Sequence, residues 1–223
     1  MRKRIWELDA LRGICLLGMV GIHLLYDLNI FLPLPLQLLQ DWGGCAFLVL
    51  SGVCVTLGHH PLRRGLMVLG CGMVCTLVTW GLYVFHFASA ELVIWFGVLH
   101  CLGSCMLLWP LFRKIPSLWL GVLGGILVLL GFYLEDLLLT TPLLVPLGIR
   151  FPGFVSADYF PLLPNLGFFL LGAAVGRKLY RKKQSLFPHI RPNRFLCFCG
   201  RHSLWIYLLH QPILYGILFI LNV

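Results

Sequence analysis

The chain has 223 residues, of which 60% are hydrophobic and 11% charged, and its mean hydropathy is +0.93. A soluble domain is nearer 45–50% apolar and about 25% charged, so too little polar side chain is present to cover a water-facing globule. That excludes a soluble enzyme, a disordered chain and a nucleic-acid-binding module. The net charge of +9 then reads as topology, because basic residues mark the cytoplasmic flanks of membrane helices.

A helix needs about 20 largely apolar residues to cross the hydrocarbon core. By that ruler Ile14–Phe31 is a first span, Trp42–Leu57 a second and Leu66–Phe85 a third. Val93–Phe112 and Leu118–Leu134 follow, then a short, proline-fronted segment near Phe160–Val175, and finally Ser203–Val223. The first span has no A-x-A-like exit and runs into Tyr26-Asp27-Leu28, so it does not read as a cleaved signal peptide. The expected fold is all-α: one polytopic membrane bundle of about seven helices over 1–223. Sixteen of the 17 basic residues fall on one side of these spans and only Arg150 on the other. The N-terminus is therefore expected in the cytoplasm and the C-terminus outside.

Leu137–Pro164 carries five of the 13 prolines and cannot form one helix. It reads as an extracytoplasmic lid or partly re-entrant segment over 137–164, with Arg150 and Asp158 pairing or facing a substrate. Most of the nine cysteines lie within spans, where a thiol packs as a small apolar group. No metal site is expected. Cys197-x-Cys199 is the one pair expected to be exposed enough for redox chemistry, and the cytoplasm would keep it reduced. Small-residue stripes at Gly18/Gly21, Gly121/Gly125 and Gly172/Gly176 suit close helix packing, within one chain or in a homodimer. No internal repeat supports an inverted-repeat transporter.

Ionisable groups inside a span cost roughly 2.5–3.5 kcal/mol on insertion scales and need a reason to be there. His23 lies midway along the first span, with Asp27 one turn on and on the same face. A carboxylate there can hold one ring nitrogen and leave the other as a base. His100 sits in the fourth span, as a packing residue or as a substrate contact. His210 lies in the last span, followed by Gln211 and a kinking Pro212. Arg63 and Arg64, after His59-His60-Pro61, suit a phosphate or anionic lipid headgroups.

Several stretches are similar to one family. They are Trp6–Ile14, with Asp9 and Arg12-Gly13; His23–Leu28; Phe47–Gly52; Tyr159–Pro164; and Gly200–Leu204, continuing through Tyr207 and His210 to Pro212. Together they resemble the heparan-alpha-glucosaminide N-acetyltransferase catalytic-domain family in its short bacterial form, within the transmembrane acyltransferases. The resemblance implies transfer of an acetyl or other acyl group from cytoplasmic acyl-CoA (acetyl-CoA), as co-substrate, to a hydroxyl or amine. The acceptor would be an extracytoplasmic glycan or related molecule, and the setting the bacterial cytoplasmic membrane. The loop Asn29–Gly43 holds no histidine, which leaves His23 as the candidate base. Asp27 would orient it, and His210 or Tyr207 would polarise the thioester. Arg63 and Arg64, with Arg12 or Arg201, would bind the phosphates. Asp9, His100, Arg150, Asp158 and Gln211 complete the candidate substrate contacts. The rival readings are a proton-coupled transporter using the intramembrane His and Asp, and a non-catalytic membrane scaffold.

Overall fold

The computed structural model describes residues 4–221, and among them no strand forms. Eight α-helices follow in order: α1 (Trp6–Asp27), α2 (Leu34–Val55), α3 (Pro61–Val84), α4 (Val98–Phe112), α5 (Ser117–Glu135), α6 (Leu162–Leu179), α7 (Arg194–Arg201) and α8 (Ser203–Leu221). Five of them, α1, α2, α3, α5 and α8, are long and apolar enough to cross a membrane. At 1.5 Å per residue, α4 and α6 reach only about 22 Å and 27 Å. The protein is a helical, multi-pass membrane protein.

The helix boundaries depart from the hydropathy reading where polar residues lie on a helix. α1 begins at Trp6 rather than Ile14, so Glu7, Asp9 and Arg12 are helical. α2 begins at Leu34, eight residues before the apolar run, and takes in Gln37, Gln40 and Asp41. In the other direction, Val93–Gly97 lies outside α4, as extended chain paired through Phe96 with Tyr159. Between α5 and α6 the proline-rich chain forms a 3-10 helix at Pro142–Leu147 and a bridge from Leu138 to Arg150. Tyr159 ties this segment down by donating to the Val145 carbonyl at 2.8 Å.

The helices gather into two compact units: Met1–Leu50 with Leu179–Val223, and Ser51–Lys178. In the first, α1 packs against α7 and α8. The α1–α7 crossing is backbone on backbone. A Cβ on Gly13 would meet the Leu196 carbonyl, and one on Gly200 would meet the Asp9 carbonyl. Glu7 is buried at this end of α1 and accepts from the Ser185 hydroxyl at 2.8 Å and the Leu186 amide at 2.7 Å. A buried carboxylate needs such donors, and it fastens the chain entering α7. Cys197 and Cys199 face inward from α7 and are buried, which corrects the expectation of an exposed pair. Burial pushes the Cys197 thiol up, away from the thiolate that redox chemistry needs.

In the second unit α3 packs on α4, with Gly65 and Gly103 at the crossing, and α2 meets α6 where a Cβ on Gly52 would strike the Phe169 carbonyl. Gly21 and Gly125 of the expected stripes have open space instead. His100 is fully engaged. Its Nδ1 accepts from the Gly97 amide at 3.2 Å, so the ring proton lies on Nε2, 3.2 Å from the Thr76 hydroxyl. Thr76 in turn donates to the Ile94 carbonyl at 2.6 Å. The imidazole thus caps α4 and ties it to α3. Replacing His100 by Ala should cost about 2–4 kcal/mol, from a cavity plus orphaned polar groups. Gly200→Val should separate α7 from α1. Thermal unfolding followed by tryptophan fluorescence should show both as lowered midpoints, and unchanged midpoints would contradict these packings.

Candidate functional site

The polar residues of α1 and α8 converge within the first unit. The His23 and His210 rings lie 5.1 Å apart between centroids, tilted by 58°. Tyr207, one turn below His210, places its ring 5.6 Å from the same imidazole. Four residues along α1 from His23, the Asp27 carboxylate accepts from Gln211 Nε2, at 3.1 Å to Oδ2 and 3.4 Å to Oδ1. The carboxylate was expected to hold His23. Asp27 is the last residue of α1, where its short side chain meets α8 instead of folding back one turn.

His210 has a defined tautomer. Its Nδ1 faces the Tyr207 backbone carbonyl, and a carbonyl can only accept, so the proton is on Nδ1 and the lone pair on Nε2. Pro212 lies inside α8 and supplies no N–H to the carbonyl four residues earlier, at Leu208. The helix is therefore more polar at this level than its composition suggests. Gln211 is equally constrained. An ionised carboxylate only accepts, so the amide must present Nε2 to Asp27 and Oε1 elsewhere.

A second feature of this unit is basic. Arg4, Phe198, Arg201 and His202 line an open crevice of about 490 Å³. Arg201 is steadied by donating from Nε to the Cys197 carbonyl at 3.0 Å, and Phe198 and His202 place their rings 4.5 Å apart. Asp9 lies in the field of Arg12, Arg4 and Arg201. His202 precedes His210 by eight residues, about 12 Å of helix at 1.5 Å each. Arg4, Phe198 and His202 were not singled out in the sequence. The Gly200-Arg201-His202-Ser203 stretch was the available signal, since a break between two helices exposes successive side chains.

The remaining candidates lie in the second unit. Arg63 and Arg64 are exposed on the first turn of α3, which follows His60 in a left-handed conformation at φ 56°. Arg150 donates from Nη2 to the Glu135 carbonyl at 3.1 Å. Asp158 accepts the Val98 amide at 3.0 Å and so caps α4. His100, as above, has both ring nitrogens in structural bonds. Among the described residues no group of three or more His, Cys, Asp or Glu is arranged to hold a metal ion.

The α1–α8 cluster can do proton-transfer chemistry: two imidazoles in contact, a phenol beside one of them, and an amide held against a carboxylate. No curated protein and no solved structure matches the chain. Residues 4–212 match the family described as heparan-alpha-glucosaminide N-acetyltransferase, catalytic, and the chain belongs to that family of membrane acetyltransferases.

Proposed function

We propose that the chain transfers an acetyl or other acyl group from acyl-CoA to a hydroxyl or amine of a glycan or related acceptor, and that the α1–α8 cluster performs the transfer. The observation that carries this reading is the His23–His210 contact, beside Asp27, Tyr207 and Gln211 where α1 and α8 are otherwise apolar.

In the proposed reaction His23 takes the proton from the acceptor O–H or N–H as its lone pair attacks the thioester carbonyl. The carbonyl π pair moves onto oxygen. His23 then passes this proton to Nε2 of His210, whose new N–H donates to the oxyanion, or keeps it while the Tyr207 hydroxyl donates instead. The oxyanion then collapses, the C–S bond breaks and the CoA thiolate takes the proton from whichever imidazole carries it, which leaves both imidazoles neutral. The Tyr207 carbonyl supports the cycle by keeping the other proton of His210 on Nδ1. Asp27 places a negative charge near an imidazolium that exists only during turnover, which favours the transition state over the resting enzyme.

The phosphates of the donor are assigned to the basic crevice, with Arg201 and Arg4 lining it and Arg12 beside it. The Phe198 and His202 rings offer an adenine a surface to stack on. Arg63 and Arg64 then serve anionic lipid headgroups at the cytoplasmic surface. The orientation of the sequence reading fits this reading, since it puts the crevice on the side where acyl-CoA is made.

Two substitutions test the assignment with radiolabelled acetyl-CoA and the purified protein. His23→Ala should lower acetyl transfer by about 10²–10⁴-fold, the usual contribution of a positioned base, with unfolding unchanged. Parental turnover in that variant would remove His23 from the mechanism. Arg201→Gln should raise KM for acetyl-CoA on the order of ten- to a hundredfold, as for a lost charge-assisted contact, and leave kcat near parental. An unaltered KM would place the phosphates elsewhere.

A further inference from the structure

Gln211 is half-buried, yet its Oε1 is fully enclosed and no described group of the protein donates to it. The neighbouring Nε2 is committed to Asp27 at 3.1 Å. These two facts are linked. Because the carboxylate can only accept, the amide cannot turn over to bring Nε2 round to the other side. Oε1 is thus a fixed acceptor one residue beyond His210, whose ring meets His23. Leaving such an oxygen without a donor is unfavourable, and a glutamine in an apolar helix could be exchanged for methionine at little loss of volume.

We infer that Gln211 determines which acceptors react: its Oε1 takes a hydrogen bond from an O–H or N–H of the acceptor adjacent to the group being acylated. This rests on the acyl-transfer reading of the same cluster and deepens it. The chemical class selected is a vicinal diol or amino alcohol, as a sugar ring presents. One O–H or N–H gives its proton to His23 and the neighbouring O–H stays bonded to Oε1. An acceptor with a single isolated amine or hydroxyl lacks the second donor. Discrimination of this kind is large, because the wrong substrate leaves a buried polar atom unpaired.

The test uses the full chain in lipid nanodiscs, radiolabelled acetyl-CoA, glucosamine as the probe acceptor and cyclohexylamine as the amine lacking a vicinal hydroxyl. The wild-type protein should prefer glucosamine in kcat/KM by on the order of ten- to a hundredfold. Gln211→Met also releases Asp27 and so slows transfer to both acceptors, but it should abolish most of the preference, because only glucosamine loses a hydrogen bond, while the stabilisation by acetyl-CoA stays parental. Gln211→Glu adds a readout that a purely structural role would not move. Its carboxyl can donate to Asp27 and still offer an oxygen only when protonated. The ratio of its glucosamine KM to the wild-type value should therefore fall as pH falls and rise as the Asp27–Glu pair ionises. His23, His210 and Tyr207 face the same cluster, so the pH dependence of kcat is followed alongside, to separate their titration from that of the new carboxyl. Wild-type transfer with a glucosamine KM and acceptor preference that survive Gln211→Met would overturn the inference alone. Absence of any acetyl transfer by the wild-type protein would overturn the acyl-transfer reading, and this inference with it.

Discussion

The contact between the Asp27 carboxylate and the Gln211 amide, 3.1 Å long, constrains how α1 and α8 meet. The carboxylate has only lone pairs to offer and the amide has one edge that can donate, so the pair admits a single orientation. It holds the upper part of α1 against α8 and, with the two helices in that register, brings His23 within ring contact of His210. At the other end of α1 the approach is steric rather than polar, with Gly13 and Gly200 letting two backbones touch. A polar clasp at one end and a glycine crossing at the other leave α1 little freedom to rotate. Rotation by a single residue, about 100° of helix, would carry His23 off the shared face.

The basic crevice and the histidine pair then acquire a common frame. The crevice is lined by Arg4, just before α1, and by Phe198, Arg201 and His202 at the end of α7, and the histidine pair lies on α1 and α8, so the parts assigned to the donor's phosphates and to the transferred acyl group belong to one compact unit. The charged elements at the foot of α1 divide the work. Glu7 is spent on the chain entering α7, bonding Ser185 and Leu186. Asp9 sits among arginines, and Arg201 is fixed through Nε by its own helix. A guanidinium positioned in that way loses less side-chain freedom when it meets an anion. In the proposed reaction, the long polar head stays at the water-facing end while the thioester reaches along α8.

Composition and hydropathy made the helical membrane fold legible, because apolar runs of membrane length have few other uses. The helix ends were not. Amphipathic turns such as Trp6–Gly13 and Leu34–Asp41 carry charges that a hydropathy window rejects, although a helix needs no apolar residue to continue. Spacing identified His23, Asp27, His210 and Gln211 as residues of interest, since each is polar within an apolar stretch. It could not say which partner each would find. An i, i+4 pair on one helix is visible in a sequence, whereas the bond from Gln211 to Asp27 depends on how two distant segments pack. The same limit explains Cys197 and Cys199, whose burial follows from the docking of α7. His100 also shows it, for its two bonds run to Gly97 and to Thr76 on another helix.

In the proposed reaction His23 and His210 act as one proton-handling unit in acetyl transfer. A double-mutant cycle measures this most directly, with kcat/KM for acetyl transfer determined for the parent, His23→Gln, His210→Gln and the double variant. Residues that act as a unit are strongly non-additive, so the double variant should be little slower than the worse single one. Losses that simply multiply, or single variants that retain parental rates, would contradict it.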